Sequence, residues 1–358
     1  MRLVSLGISN LRNIASLRLT LAPGLNVFIG PNGSGKTSLV EAAYLLSHSQ
    51  SFRAGSTETV LRRGCDRLGL QGVIERRGTT VDLRLVRAQE AWSGEINGLP
   101  APSLGALLRE FGLVCLEPGS HALISGGSGE RRRFLDWGVF HVEPDYLVDM
   151  RRYNRVLKQR NAALKAEPSD SELDAWDTAL SELGEPIERQ RRRYFEAFAQ
   201  SLIRLLGRFL PELGDIQVSM DPGWAGESLA AALAERRRLD RMRGHTSRGP
   251  HRADWSLSFA NAPIREHLSR GQEKLCALAC VLAQAERYAG ATGEWPVVAL
   301  DDLPSELDLA HQRVVVDLAV EVGAQVLITG TEMPAALREN VTPIQLFHVE
   351  HGEISSGA

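Results

Sequence analysis

The sequence predicts an α/β fold in which both ends of the chain build one nucleotide-binding core, with a mostly helical second domain inserted between them. Three observations carry this. A buried apolar run, residues 25–30, leads straight into a glycine-rich loop and then a periodic helix. From about 128 to 242 the chain turns to long stretches rich in Arg, Leu, Ala and Glu, with few β-branched residues. After 250, strand-like runs return. The expected division is therefore 1–127 plus 243–358 for the core and 128–242 for the insertion.

Each element has its own signal. The helix after the loop carries Leu39, Ala42, Ala43 and Leu46 on one side. Residues 68–86 alternate around Arg76-Arg77-Gly78, which predicts a hairpin. In the helical middle, Gly184-Glu185-Pro186 predicts a break, and turns are expected near Pro211 and Pro222-Gly223. A strand is expected near 255–259 and a helix over 271–288. Strands at 297–300 and 326–329 follow, with a helix near 310–322 between them.

Composition narrows the function classes. The 358 residues are 43% hydrophobic and 24% charged with net charge −3, so bulk electrostatics do not mark a nucleic-acid binder. The best membrane candidate, 275–285, is closed by Lys274 and Glu286 and is too short to span a bilayer. The start, Met1 to Ser5, has no apolar signal-peptide core. Cysteines at 65, 115, 276 and 280 lack metal-ligand spacing. Cys276 and Cys280 share a helix face and are expected in the core, so a reducing, cytoplasmic setting is expected. Local arginine runs stand out: Arg131-Arg132-Arg133, then Arg151, Arg152, Arg155, Lys158 and Arg160, then Arg189 and 191–193, then 236–238 with Arg241 and Arg243. Each reads either as a solvated helix face or as part of a DNA-binding surface.

The loop Gly30-Pro31-Asn32-Gly33-Ser34-Gly35-Lys36-Thr37 fits G-x-x-x-x-G-K-[ST]. Its glycines let successive N–H groups cradle phosphate oxygens at a helix N-terminus. Lys36 supplies a point charge to the β- and γ-phosphates of ATP, and Thr37 a hydroxyl to Mg²⁺. Asp301-Asp302 closes the strand at 297–300. Paired carboxylates there are unfavourable unless a cation or substrate uses them, so Asp301 is expected to bind Mg²⁺ and Asp302 to act as general base. Ser269 in Leu268-Ser269-Arg270-Gly271-Gln272-Glu273-Lys274 is placed as an N-cap for the helix that follows.

That stretch also resembles the LSGGQ signature of ABC-type ATPases, whose serine and glycine amides hold the nucleotide of a partner subunit. The resemblance implies that role for Ser269, Gly271 and Gln272. Ser305-Glu306-Leu307-Asp308 resembles the D-loop, bringing Asp308 to the same partner nucleotide. Leu11-Arg12-Asn13 is similar to the adenine-side element of SMC-like heads, which implies nucleotide contacts for Arg12 and Asn13.

Further stretches resemble the RecF family nearly end to end: 129–138 with its Arg-Arg-x-Phe-Leu-Asp form, 158–161, 175–177 and 249–254. That resemblance implies a cytoplasmic, ATP-dependent homodimer with weak, DNA-dependent ATPase activity and no membrane association. It implies binding to double-stranded, gapped or junction DNA and to single strands. It also implies cooperation with RecO and RecR in loading RecA during gap repair and the SOS response. Arg131, Arg132 and Arg133 are the expected DNA contacts. Two departures from the transporter pattern imply slow hydrolysis: Asp302 stands where transporters carry Glu, and Thr329-Gly330-Thr331 has no switch histidine. No Q-loop glutamine is evident; Glu117-Pro118 occupies that region. The alternative is the ATPase subunit of an ABC-type transporter, which shares the loop and signature. Here Lys36 and Ser269 lie 269 − 36 = 233 positions apart, far more than its small insertion. A small SMC-like chromosome organiser would need sustained heptads, and the middle segment lacks them.

Overall fold

In the computed structural model, Leu25–Ile29 pairs in parallel with Val326–Gly330 on one side and Ile344–Glu350 on the other, so the two chain ends meet at the strand that feeds the loop. All residues are described except 54–56, 90, 167–168, 339–342 and 357–358. The full order of this sheet is Glu353–Ser356, Ile344–Glu350, Leu25–Ile29, Val326–Gly330, Val297–Leu300, Leu113–Leu116. Only Glu353–Ser356 runs antiparallel to its neighbour. Val297–Leu300 and Val326–Gly330 are buried at every position, as strands covered on both faces require.

A second sheet is antiparallel: Ile14–Thr20, Arg2–Leu11, Arg67–Arg76, Thr79–Ala88, Ala91–Ile96, Leu99–Pro100. The expected hairpin turns between Arg76 and Thr79. The helix Lys36–His48 joins the cores of both sheets: Leu39, Leu45 and Leu46 share one cluster with Leu3, Leu70 and Ile74 of the antiparallel sheet and Phe28 and Leu327 of the parallel one. It is therefore buried well beyond the single side its periodicity suggests. The helix Arg270–Thr292 buries Cys276 and Cys280; burial pushes the Cys276 thiol up to about 12 and raises that of Cys280 as well.

The chain divides at 121/122 and 269/270, leaving residues 122–269 as the second unit. Residues 243–269, expected in the core, thus belong with the helices. The reason is pairing: Asp254–Phe259 is antiparallel to Ile216–Asp221, and Trp255 packs on Phe134, Phe195 and Phe198. The helix Asp170–Phe209 starts with a capping box, Ser169 with Glu172, and runs 40 residues. It continues through Pro186, so the expected break at 184–186 does not occur. Packing overrides the local signal: a Cβ on Gly184 would meet Leu229 at 2.5 Å, so the glycine serves a close approach.

Two fully buried arginines organise this unit. The Arg160 guanidinium donates to Asp177 at 2.7 Å, Asp240 at 2.9 Å and the Thr246 hydroxyl at 2.8 Å. Arg191 donates to Asp136, the Tyr146 hydroxyl and the Pro250 carbonyl. The cluster expected to meet DNA is partly used here too. Arg131 grips Asp254 with two bonds of 2.7 and 2.9 Å, and Arg132 donates to the Ala253 carbonyl at 2.6 Å. Of the three, only Arg133 is well exposed, and it pairs with Glu130 one turn earlier. Internal partners therefore engage part of the Arg131 and Arg132 guanidinium groups, which are half-buried.

His251 is the half-buried titratable link in this network. Nε2 donates to the Thr246 carbonyl at 3.1 Å, and Nδ1 lies 2.7 Å from the Tyr153 hydroxyl, which can donate to it when the ring is neutral. Burial, with Arg252 and Arg132 nearby, lowers its pKa to about 4. In the unfolded chain it would protonate near 6.5. The stability contribution is thus present above pH 6.5 and is lost as pH falls toward 4, by roughly 3 kcal/mol. Denaturant titrations across that window should show the loss, and His251→Gln, though less stable at pH 7, should have a shallower slope. An unchanged slope in the variant would assign the acid sensitivity to other groups.

Candidate functional site

Strand, loop and helix set the site's floor. Gly35 holds φ 116°, a conformation L side chains rarely adopt, and an added Cβ would press on Asn13 at 3.1 Å. Asn13 donates to the carbonyls of Gly33 at 3.3 Å and Ser34 at 3.1 Å and accepts from the Ser38 hydroxyl. The turn is thereby latched from outside, with its N–H groups at the N-terminus of a 13-residue helix.

Lys36 is 7% exposed and folds back over the loop, donating to the Gly30 carbonyl at 2.8 Å and the Pro31 carbonyl at 2.9 Å. Burial lowers its pKa, opposed by the charges of Asp302 and Asp301. Those carbonyls occupy donors that a phosphate oxygen could take.

At the far wall, Asp301 is 2% exposed at the end of Val297–Leu300. It accepts from the Thr329 hydroxyl at 2.7 Å and from the Thr37 hydroxyl. Burial raises its pKa, and the two hydroxyls work against that rise. Asp302 stands in the left-handed region at φ 55°, its N–H donating to Thr329 Oγ1 at 2.8 Å. Thr329 thus orders both acids.

Arg12, Asn13, Asn32, Gly33, Gly35, Lys36, Thr37, Asp301, Asp302 and Thr329 line one cleft of about 250 Å³. That is below the usual range for a ligand-enclosing pocket, as befits a surface covering one side of its ligand. Gly30, Pro31 and Ser34 shape the loop behind it. A larger recess of about 430 Å³ lies on the open face of the antiparallel sheet; its charged Arg84 and Glu95 pair with each other, and no phosphate-type loop faces it.

The remaining expected residues lie elsewhere. Gly271 and Gln272, in the first turn of Arg270–Thr292, and Asp308 are absent from the cleft lining. Ser269 is exposed directly before that helix. Asp308 is the N-cap of Leu309–Glu321, accepting from the His311 N–H at 2.9 Å, which lowers its pKa. Lys274 anchors the start of the signature helix to Glu306 at 3.1 Å.

Two residues, Glu41 and Arg53, escaped the sequence reading, and Glu117 was noted there without a role. Glu41, fully buried in the loop helix, binds Arg12 with two bonds of 2.9 and 2.7 Å, accepts from the Ser51 hydroxyl and lies 3.9 Å from Arg53. Arg53 also lines the cleft. A lone carboxylate between Val40 and Ala42 was the available signal for Glu41; nothing in the sequence marks Arg53. Glu117 follows Leu113–Leu116, the strand beside Val297–Leu300. Burial pushes its carboxyl up to about 6, Asp301 and Glu306 adding to the rise against its bond from the Gly119 N–H.

The set suits a metal–nucleotide. Among the described residues no three His, Cys, Asp or Glu side chains cluster to cage a metal alone. A hydroxyl and a carboxylate side by side, next to a phosphate-type loop, match the few protein oxygens Mg²⁺ takes when phosphates supply the others.

The RecF/RecN/SMC N terminal domain model matches residues 2–355. The "DNA replication and repair protein RecF" of Stenotrophomonas maltophilia (strain R551-3) is 46% identical, with 99% of each chain covered. That of Aliivibrio fischeri (strain MJ11) is 36% identical, with both chains fully covered. A solved structure of the "recombination mediator protein RecF-ATP in RecFOR pathway" superposes with TM-score 0.89 at 26% identity, covering 99% of this chain and 97% of that one. An "SmcHead bound to the C-winged helix domain of ScpA" gives TM-score 0.60 at 15% identity over 100% and 98%, a likeness of fold alone.

Glu41 should act as the anchor of Arg12. Glu41→Gln should destabilise the protein by about 3 kcal/mol, because one partner of a buried pair is lost. Adding Arg12→Met should recover part of it. Additive losses in chemical denaturation of the single and double variants would show that the pair is not coupled.

Proposed function

This chain belongs to the RecF family, and from that premise we propose that its cleft binds ATP with Mg²⁺ and hydrolyses it slowly, as a switch for dimerisation and DNA binding in recombinational gap repair. The observation that carries the reading is the Thr37–Asp301 link beside Lys36, which puts the hydroxyl, the carboxylate and the ammonium a metal–triphosphate needs into one cleft. The loop amides bind phosphate oxygens, and Lys36 turns from the Gly30 and Pro31 carbonyls to the β- and γ-phosphates. Thr37 and Asp301 hold Mg²⁺, which when bound neutralises phosphate charge. Asp302 orients the attacking water and accepts its proton. Arg12, held by Glu41, and Asn13 edge the nucleotide.

The open cleft supplies one half of a site. The other half comes from a second copy: Ser269, Gly271 and Gln272 at a helix N-terminus, with Asp308, close over the γ-phosphate. The protein then acts in the cytoplasm on gapped or junction DNA, with RecO and RecR, to help load RecA. Among the described residues no helix is long and apolar enough to cross a membrane. Full-length kinship with RecF leaves the transporter-subunit reading without support.

Lys36→Ala should abolish ATP binding in equilibrium titration. Asp302→Asn should bind normally but turn over at least about 100-fold more slowly, since the amide cannot accept a proton. Wild-type turnover in this variant would make another residue the base. Mixing tests the shared site. Lys36→Ala cannot hold ATP, and Ser269→Arg puts a bulky cation where the γ-phosphate docks. Neither should dimerise alone with ATP, whereas their mixture should form dimers with one nucleotide by native mass spectrometry. If Ser269→Arg alone dimerises like wild type, the signature is only a helix cap.

A further inference from the structure

The helix Tyr146–Lys165 buries Tyr146, Tyr153, Arg160 and Leu164 and turns the opposite side to solvent. That outward row reads Val148, Arg151, Arg155, Lys158, Ala162 and Lys165, at successive spacings of three and four. Arg152 flanks it and is also exposed. No Asp or Glu occurs from 150 to 166. Of the carboxylates near this helix, Asp149 accepts from Gln190, and Asp177 and Asp240 serve Arg160; the N-cap Asp145 is exposed.

Among the described residues, Arg151, Arg152, Arg155, Lys158 and Lys165 have no carboxylate or hydrogen-bond partner. By contrast, Arg192, Arg193, Arg237 and Arg241 of the same unit pair with Glu188, Glu143, Asp174 and Asp170. Like charges three and four apart on one helix repel and weaken it. Among the described residues, no carboxylate of this unit pairs with these five side chains.

We infer that this ridge is a contact surface for the phosphate backbone of duplex DNA. From Arg151 to Lys165 the row spans about 21 Å at 1.5 Å per residue, over half of one turn of B-form duplex. Guanidinium forks suit phosphate oxygens. The outward row has no aromatic side chain on which an unpaired base could stack, which favours duplex over single strands. The inference rests on the reading of this chain as a DNA-binding protein and moves the contact from Arg131–Arg133 to this helix.

The test is fluorescence anisotropy of full-length protein with ATP and Mg²⁺ on a duplex oligonucleotide and on a single strand, over a range of KCl. The triple variant Arg151→Gln/Arg155→Gln/Lys158→Gln removes three exposed cations. It should flatten the log–log salt slope by about 2.7, or 0.9 per phosphate released. Duplex affinity at low salt should fall at least about tenfold, as losing three phosphate contacts implies. ATP affinity should hold, and the melting temperature should not drop. The charge-matched control Arg192→Gln/Arg193→Gln/Arg241→Gln should change the slope by less than one, and Arg151→Lys/Arg155→Lys should keep the wild-type slope. Duplex binding unchanged in the triple variant, or equally reduced in the control, overturns the ridge and leaves it to an acidic protein surface. A wild-type protein that binds no DNA in any nucleotide state would instead overturn the DNA-binding reading itself.

Discussion

Asp301 sits at the end of a strand buried along its whole length, where an ionised carboxylate is unfavourable unless its oxygens are hydrogen-bonded or paired. Two hydroxyls meet that demand, and they come from different elements: Thr329 from the neighbouring strand and Thr37 from the first turn of the loop helix. Thr329 also receives the N–H of Asp302. Satisfying one carboxylate therefore fixes the distance between the phosphate loop and the acidic pair. The parallel sheet supplies the scaffold, because Leu25–Ile29, Val326–Gly330 and Val297–Leu300 are consecutive strands whose C-terminal ends open on the same edge.

The second unit solves a comparable problem with the opposite charge. A guanidinium in a helical core needs several acceptors, and Arg160 and Arg191 draw theirs from segments far apart in sequence. Asp177, Asp240, Asp136 and the 246–250 loop are drawn together by that need. Several stretches that resembled RecF motifs, such as those around Arg160, Asp177 and Pro250, are parts of these two networks. Their chemistry is that of fold specification.

This explains what the sequence disclosed and what it hid. The loop, the acidic pair and their flanking strands were legible because local spacing and apolar runs encode them. The Pro186 helix was not legible, since a glycine–proline signal describes the backbone and Leu229 decides the packing. The boundary at 242 failed for a related reason: pairing of Asp254–Phe259 with Ile216–Asp221 is a contact that no local window contains. Arginine runs looked alike in sequence, yet Arg131, Arg160 and Arg191 face inward while Arg151 and Arg155 face water. Only the inward face of each helix separates them. Glu41 shows the same limit, since its partner Arg12 lies 29 positions away.

Asp302 carries the last step. A non-glycine residue at φ 55° is strained by roughly 1–2 kcal/mol, and such strain persists only where surrounding bonds over-determine it. Here the Asp302 N–H is held by Thr329, and its carbonyl accepts from Ser305 and Glu306. The backbone thus turns sharply just after the metal-type acid, separating the roles of two adjacent carboxylates. Asp301 stays buried and fixed, whereas Asp302 is partly open at the cleft. Asp302 is a methylene shorter than glutamate, and the strand Val326–Gly330 is followed by Thr331 rather than by a histidine. Under the proposed function, such a site would hold a nucleotide with many groups and attack it with few. That balance agrees with the proposal that ATP acts here as a switch rather than as fuel for rapid turnover.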